Sequence, residues 1–272
     1  MQGAYKISVF ILTIIICSSG YLTATAQDSL LLPKIQSTPN SIGIKYDLIA
    51  FDKAANKPWH FISIEYKDHI KKTPLIARLN YANRFSKSGL QLEAEAYPAL
   101  SKKIYTYINA GYSKDVLLFP KYRAGFSLYV TLPAAFEIEG GVRLLHFSTS
   151  TFIYTASVGK YYKKFWFNLG TFLTPESNNL LQSYFFKTRY YLNDKDYLML
   201  TLGTGISPDD SKNNIQLNTN AKLKSQKLEF AFRNTFRKKN VFLFNAGFMS
   251  QEYEYKKWTN QYNIGVGLQR YL

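Results

Sequence analysis

From residue 40 to residue 272, apolar and polar side chains alternate in runs of about ten, and the runs end at Lys-Lys, Gly, Pro, Asn or Asp. Neighbouring side chains on a strand point to opposite faces of a sheet, so this period of two predicts strands with one apolar and one polar face. The segment RLNYANRFSKSGLQLEAEAYP, residues 78–98, holds two such strands around a Ser-Lys-Ser-Gly break. In run 75–86, Leu75, Ala77, Leu79, Tyr81 and Phe85 share one face, and Arg78, Asn80 and Arg84 share the other. Run 89–98 sets Leu90, Leu92, Ala94 and Ala96 against Gln91, Glu93, Glu95 and Tyr97, and run 135–147 sets Phe136, Ile138, Val142 and Leu144 against Glu137, Glu139 and Arg143. Lys187 and Arg189 stand opposite Phe186 and Tyr190 in the same way, and Glu229 and Arg233 opposite Leu228, Phe230 and Phe232.

Fifteen runs can be marked between 42–52 and 261–272, and neither helical periodicity, heptads nor internal repeats interrupt them. Two architectures produce such alternation: a secreted soluble β-protein, or a transmembrane barrel with its polar face turned inward. The polar faces mix Arg with Glu on consecutive strands, as mutual neutralisation inside a lumen requires. The run length suits a tilted crossing of the hydrocarbon. Tyrosines gather near strand ends, at 105 and 107, 161 and 162, 190 and 191, and 253 and 255, which predicts interfacial girdles. The chain also finishes on an amphipathic run whose last residue is Leu272. We therefore expect an all-β fold, an antiparallel up-and-down transmembrane β-barrel, with the soluble β-protein as the alternative.

An odd number of runs conflicts with both termini lying on one side of a membrane. Lys71-Lys72, Lys102-Lys103 and Lys163-Lys164 fall in turns of one parity, and Lys238-Lys239 joins them only if one run between 207 and 226 is loop. That gives about 14 strands, with 12 or 16 as alternatives, and makes Ser207-Pro208-Asp209-Asp210 the start of a long outer loop.

The N-terminus decides the compartment. Lys6 precedes the apolar run Ile7 to Cys17, and Ala24-Thr25-Ala26 forms an A-x-A cleavage site before Gln27. The expected organisation is a signal peptide over 1–26 cleaved between Ala26 and Gln27, a short flexible segment over 27–39 and a barrel over 40–272. Cys17, the sole cysteine, lies in the leader after Ile14-Ile15-Ile16, where a lipoprotein would need a small residue, so the mature chain has no disulfide. With 34 Lys and Arg against 18 Asp and Glu, the net charge is +16. Such an excess suits polyanions in general, but export makes nucleic acid an unsuitable partner. The partners expected are outer-membrane lipid and lipopolysaccharide, the barrel assembly machinery during biogenesis, and polysaccharide.

Several segments together resemble the YaiO family of bacterial outer-membrane β-barrel proteins. They are Pro58-Trp59-His60, residues 78–85, Gln91 and Glu93 leading to Ala96-Tyr97-Pro98, and Gly111-Tyr112-Ser113. Leu118-Phe119-Pro120 with Arg123 and Gly125 follows, then Tyr154-Thr155 before Val158-Gly159-Lys160-Tyr161, and Ser207-Pro208-Asp209-Asp210. The resemblance implies a barrel of the Gram-negative cell envelope, porin-like in form, sometimes found beside genes for sugar-polymer synthesis. It carries over no catalytic residue. Some relatives have an N-terminal helical repeat domain, for which the stretch before the first run here leaves no room.

Arg78, Arg84, Glu93, Glu95, Arg123, Glu137, Glu139 and Arg143 all fall on the polar faces, so they form a candidate charge ladder across the lumen. It reads either as a salt-bridged filling or as a track for a solute, and pairing of Arg with Glu favours the filling. His146 and Ser148, two apart near a membrane edge, offer a base beside a nucleophile and hence an alternative, a membrane-embedded lipid hydrolase. No acid or amide faces them, since Asn168 falls on the lumen side, and an interfacial histidine is the plainer reading. His60, His69 and His146 sit on separate strands or turns with no ligand partner two residues away, so no metal, cofactor or catalytic site is expected, and the single glycines read as close-packing positions rather than phosphate loops. The expected function is a non-enzymatic, monomeric outer-membrane barrel with a structural or transport role linked to surface polysaccharide.

Overall fold

The computed structural model describes residues 39–52, 57–71, 73–176, 179–210, 224–254 and 256–272. They form fourteen strands: β1 (Ser41–Phe51), β2 (Trp59–Ile70), β3 (Thr73–Arg84), β4 (Lys87–Ala96), β5 (Ile104–Ser113), β6 (Tyr122–Leu132) and β7 (Phe136–His146). The remainder are β8 (Ser150–Tyr162), β9 (Phe165–Glu176), β10 (Asn179–Tyr191), β11 (Tyr197–Thr204), β12 (Ser225–Phe236), β13 (Asn240–Glu254) and β14 (Lys257–Tyr271). Each strand pairs antiparallel with the next and β14 pairs with β1, closing a barrel in which every edge has a partner. The seam runs from Ser41 opposite Tyr271 to Phe51 opposite Gln261. Gln269 Nε2 donates to Ser41 Oγ across it at 2.6 Å, and the Leu272 amide donates to the Asn40 carbonyl at 2.8 Å. The twelfth of the fifteen runs, 215–224, lies outside the described residues except for Lys224, which is not in a strand.

The faces follow the alternation. Ile44, Leu92, Leu169 and Leu268 are each more than half exposed on the outside, whereas their neighbours Asp47, Gln91, Glu93, Asn168 and Gln269 are buried inside. An apolar exterior of this kind, with charge within, is the inverse of a soluble domain and matches a hydrocarbon environment. Short connections at 71–72, 133–135, 163–164 and 237–239 share one end of the barrel with the start of β1 and the end of β14, here the turn end. The longest connection, 205–224, lies at the other, the loop end.

The tyrosine girdle divides differently from expectation. Tyr162 and Tyr190 face outward, but Tyr105, Tyr107, Tyr161 and Tyr191 turn into the lumen, where Tyr105 donates to Glu137 at 3.0 Å and Tyr107 is 7% exposed. Adjacent tyrosines on a strand must split between the two faces, so a pair such as Tyr161-Tyr162 supplies one ring to each. Tyr255 lies outside the described residues.

Candidate functional site in the lumen

Three layers fill the barrel from the loop end to the turn end. At the loop end, Ile49, Trp59, Phe61 and Ala82 from β1, β2 and β3 pack against Leu118 and Phe119 of the β5–β6 connection. Arg84, at 1% exposure, lies in this nest with its guanidinium between 5.4 and 5.9 Å from the ring centres of Trp59, Phe61, Phe85 and Phe119. Arginine is the cation suited to such a site, because its weakly hydrated planar head stacks on rings. A second apolar cluster, Leu145, Phe147, Ile153 and Phe172 with Phe185, covers β7 to β10.

The middle layer is ionic. Arg123 Nη1 on β6 meets Glu93 Oε1 on β4 at 2.8 Å. Arg143 on β7 donates from Nε to Asp209 Oδ1 at 2.8 Å and from Nη1 to Ser127 Oγ at 2.9 Å and the Phe126 carbonyl at 3.1 Å, while Nη2 lies 3.7 Å from Glu139. Asp209 also stands 3.8 Å from Arg123 Nη2, so one carboxylate bridges the arginines of adjacent strands. Glycines make room for both stems: a Cβ at Gly111 would lie 2.7 Å from Arg123 Cγ, and one at Gly125 would lie 2.9 Å from Arg143 Cδ.

Asp209 belongs to no strand. β11 is the shortest strand of the barrel, and Gly205 after it takes a φ of +71° with Ser183 against the position a Cβ would occupy. Glycine alone adopts this backbone without strain, so it forms the elbow by which the chain leaves the wall. The following segment enters the lumen, where Pro208 is fully buried and Asp210 meets Lys227 Nζ at 3.0 Å. The expected loop therefore does begin at Ser207-Pro208-Asp209-Asp210, but its first residues fold inward instead of outward.

At the turn end, Arg78 is clamped between Glu65 and Glu95, and Tyr97 donates to Glu95 at 3.1 Å. Tyr105 and Tyr129 stack with ring centres 4.6 Å apart. Arg189 lies 4.3 Å from the centre of Tyr197 and 5.1 Å from that of Trp166. Arg233 donates to Gln269 at 3.0 Å and to the Tyr271 hydroxyl at 2.7 Å. Between the ionic layer, the Phe119 cap and the walls of β1 to β5 remains a cavity of about 200 Å³.

All eight ladder residues face the lumen, but they do not form one ladder. Arg78 and Glu95 make one group; Glu93, Arg123, Glu139 and Arg143 make another through Asp209; Glu137 accepts from Tyr105; and Arg84 is held among rings on the side of Asp210. Glu65, Asp47, Asp209 and Asp210 were not singled out by sequence. Glu65 and Asp47 carried the same period-two signal, whereas Asp209 and Asp210 were marked as the start of a loop and as part of a family segment, neither of which points into the lumen.

The His146/Ser148 arrangement is corrected. Ser148 lies in the β7–β8 turn, off the strand, and His146 Nδ1 instead pairs with Ser150 Oγ at 2.9 Å on the exposed face. That bond spans the two sides of a tight hairpin, and the sequence spacing of two residues does not survive the turn. Among the described residues, no three His, Cys, Asp or Glu side chains gather as metal ligands would.

The sequence profile of the YaiO membrane beta barrel domain matches residues 39–210. No curated protein matches the chain. Among solved structures, one described as a bacterial polysaccharide outer membrane secretin is similar with a TM-score of 0.56 and 7% identity, covering 87% of this chain and 99% of that chain. The CymD monoaromatic hydrocarbon channel is similar with a TM-score of 0.57 and 8% identity, covering 92% of this chain and 94% of that chain. At these identities the likeness is one of fold, that of outer-membrane barrels.

Proposed function

The chain belongs to the YaiO membrane beta barrel family and resides in the outer membrane, and we propose that it acts there as a non-catalytic, self-occluded barrel that helps retain polysaccharide at the cell surface. The observation that carries the occluded reading is Asp209, drawn into the lumen by the Gly205 elbow and held 2.8 Å from Arg143 and 3.8 Å from Arg123. A chain that sends two acids and a buried proline from a connection into its own interior narrows the path that a porin leaves open. The polysaccharide part rests on the family resemblance, because the two similar folds are described with different cargo and a fold alone does not choose a solute. A leader over 1–26, a flexible 27–39 segment, delivery by the barrel assembly machinery and contact with lipopolysaccharide belong to the same proposal. So does the absence of catalysis, supported by the His146–Ser150 pair having no acid or amide among its described hydrogen-bond partners.

Cells lacking the protein should shed surface polysaccharide into the medium while taking up small hydrophilic solutes at the wild-type rate. Unchanged retention of polysaccharide would remove the link, and slowed uptake would replace retention by transport.

A further inference from the structure

We propose that the lumen cavity of about 200 Å³ is a binding site for one neutral, pyranose-sized sugar unit. This deepens the polysaccharide reading above and rests on it only for the biological source of the sugar. The volume is that of roughly seven waters of bulk liquid and falls below the several hundred Å³ of pockets for drug-sized ligands. A single sugar ring is of that order.

The chemistry of the lining selects neutrality. Lys45, Arg78 and Arg123 face the cavity together with Asp47, Glu93, Glu95 and Asp209, the last engaged by Arg143 at 2.8 Å from behind the wall. Lys45 meets Asp47 at 3.1 Å, Arg123 meets Glu93 at 2.8 Å, and Arg78 is held by Glu65 and Glu95. An anionic solute would find its cations engaged by carboxylates, and a cationic solute would find the carboxylates engaged by cations, so either must break an existing pair in a confined space. A hydroxyl donor needs only a spare lone pair, and each carboxylate oxygen has more than one. The wall is thus rich in acceptors and poor in net charge.

Position and shape add direction. Asn80 reaches from β3 toward the same space, with its amide donating to Glu93 at 3.0 Å and its carbonyl accepting from Ser63 at 2.7 Å. Those contacts fix which way the amide faces. Phe61, Tyr107 and Phe119 contribute ring carbons to the lining, against which the C–H face of a pyranose can pack. A pocket of a few oriented polar groups and aromatic walls is the general form of a small-ligand site, whereas a space meant only to be filled is closed by apolar side chains.

The test uses the full chain in detergent micelles, with tryptophan emission and saturation-transfer NMR as readouts. Trp59 belongs to the same apolar cluster as Phe61 and Phe119, both of which line the cavity, and so places a reporter behind the cavity wall. Glucose should give a saturable response, with glucuronate and glucosamine at least about tenfold weaker. Ser63→Phe, which projects a ring into the cavity, should abolish the response while preserving heat-modifiable migration. If Ser63→Phe does not fold, Ser63→Leu carries the same test. No saturable response to glucose, equal binding of the charged sugars, or undiminished binding in the folded Ser63 variant would each overturn the site. Polysaccharide shedding without glucose binding would remove the site and leave the proposed role, and glucose binding without shedding would do the reverse.

Discussion

Arg143 shows how much one lumen side chain holds. It is 4% exposed and serves Asp209, Ser127 and a main-chain carbonyl at once. Its removal leaves Asp209, whose side chain is 39% exposed, with Arg123 at 3.8 Å and takes the guanidinium donor from Ser127 Oγ and the Phe126 carbonyl. A broken pair costs about 3–5 kcal/mol when both charges are buried, and solvent at Asp209 screens part of that, so Arg143→Ala should lower the unfolding midpoint in urea by less than the full buried-pair cost. Lysine has one donor head where three directions are used, so Arg143→Lys should recover only part of the loss. Unchanged stability with altered ion selectivity would instead mean a hydrated lumen. The lipid face answers to the opposite rule: Leu92→Arg should cost about 2–4 kcal/mol near the midplane. Alternation alone also predicts that Gln91→Arg, one residue away, is harmless, but Gln91 is 0% exposed and has no room for a longer side chain. Thr131 is the better comparison, since it faces the lumen opposite Glu137 in the β6–β7 register and an arginine there gains a carboxylate. Comparable losses of folded yield for Leu92→Arg and Thr131→Arg would show that the two faces are wrongly assigned. Which face each ladder residue takes was legible because it depends on parity. Partners were not, because Asp209 arrives from a connection that has no period.

Gly205 governs the element that departs most from the strand pattern. A side chain there would meet Ser183 and force a left-handed backbone on a residue that resists it. Gly205→Val should therefore displace the inward segment or lower the yield of folded barrel, read by heat-modifiable migration and by protease cleavage after 205. A variant that folds fully and resists protease as the wild type does would contradict the elbow. Strand positions themselves were readable to within a few residues, since each needs only its own alternation and a turn signal. The Lys-Lys parity also placed 71, 102–103, 163–164 and 238–239 at one end, which the barrel repeats. Two features were hidden for the same reason: the His146–Ser150 pair and the inward tyrosines depend on where a turn begins and on which of two adjacent rings faces in. Tyr105 and Tyr191 read as interfacial because an amphipathic ring serves equally well at a headgroup and beside Glu137 or Arg189.

Among the described residues, an apolar cap, an ionic middle and a tyrosine–arginine floor leave the cavity of about 200 Å³ between them. The barrel has no disulfide among its described strands, and its stability comes from the closed ladder of strand pairs together with this interior. An interior built from ion pairs is stable only while each pair is complete, so occlusion and stability are coupled through Asp209 and Asp210. The most direct measurement is the conductance of the purified protein in planar bilayers. The wild-type barrel should show no steady current at moderate voltage, and the Asp209→Ala/Asp210→Ala double variant should show openings, because both of its luminal anchors are gone. A steady ohmic current through the wild-type protein, unchanged in the double variant, would contradict an interior closed by its own chain.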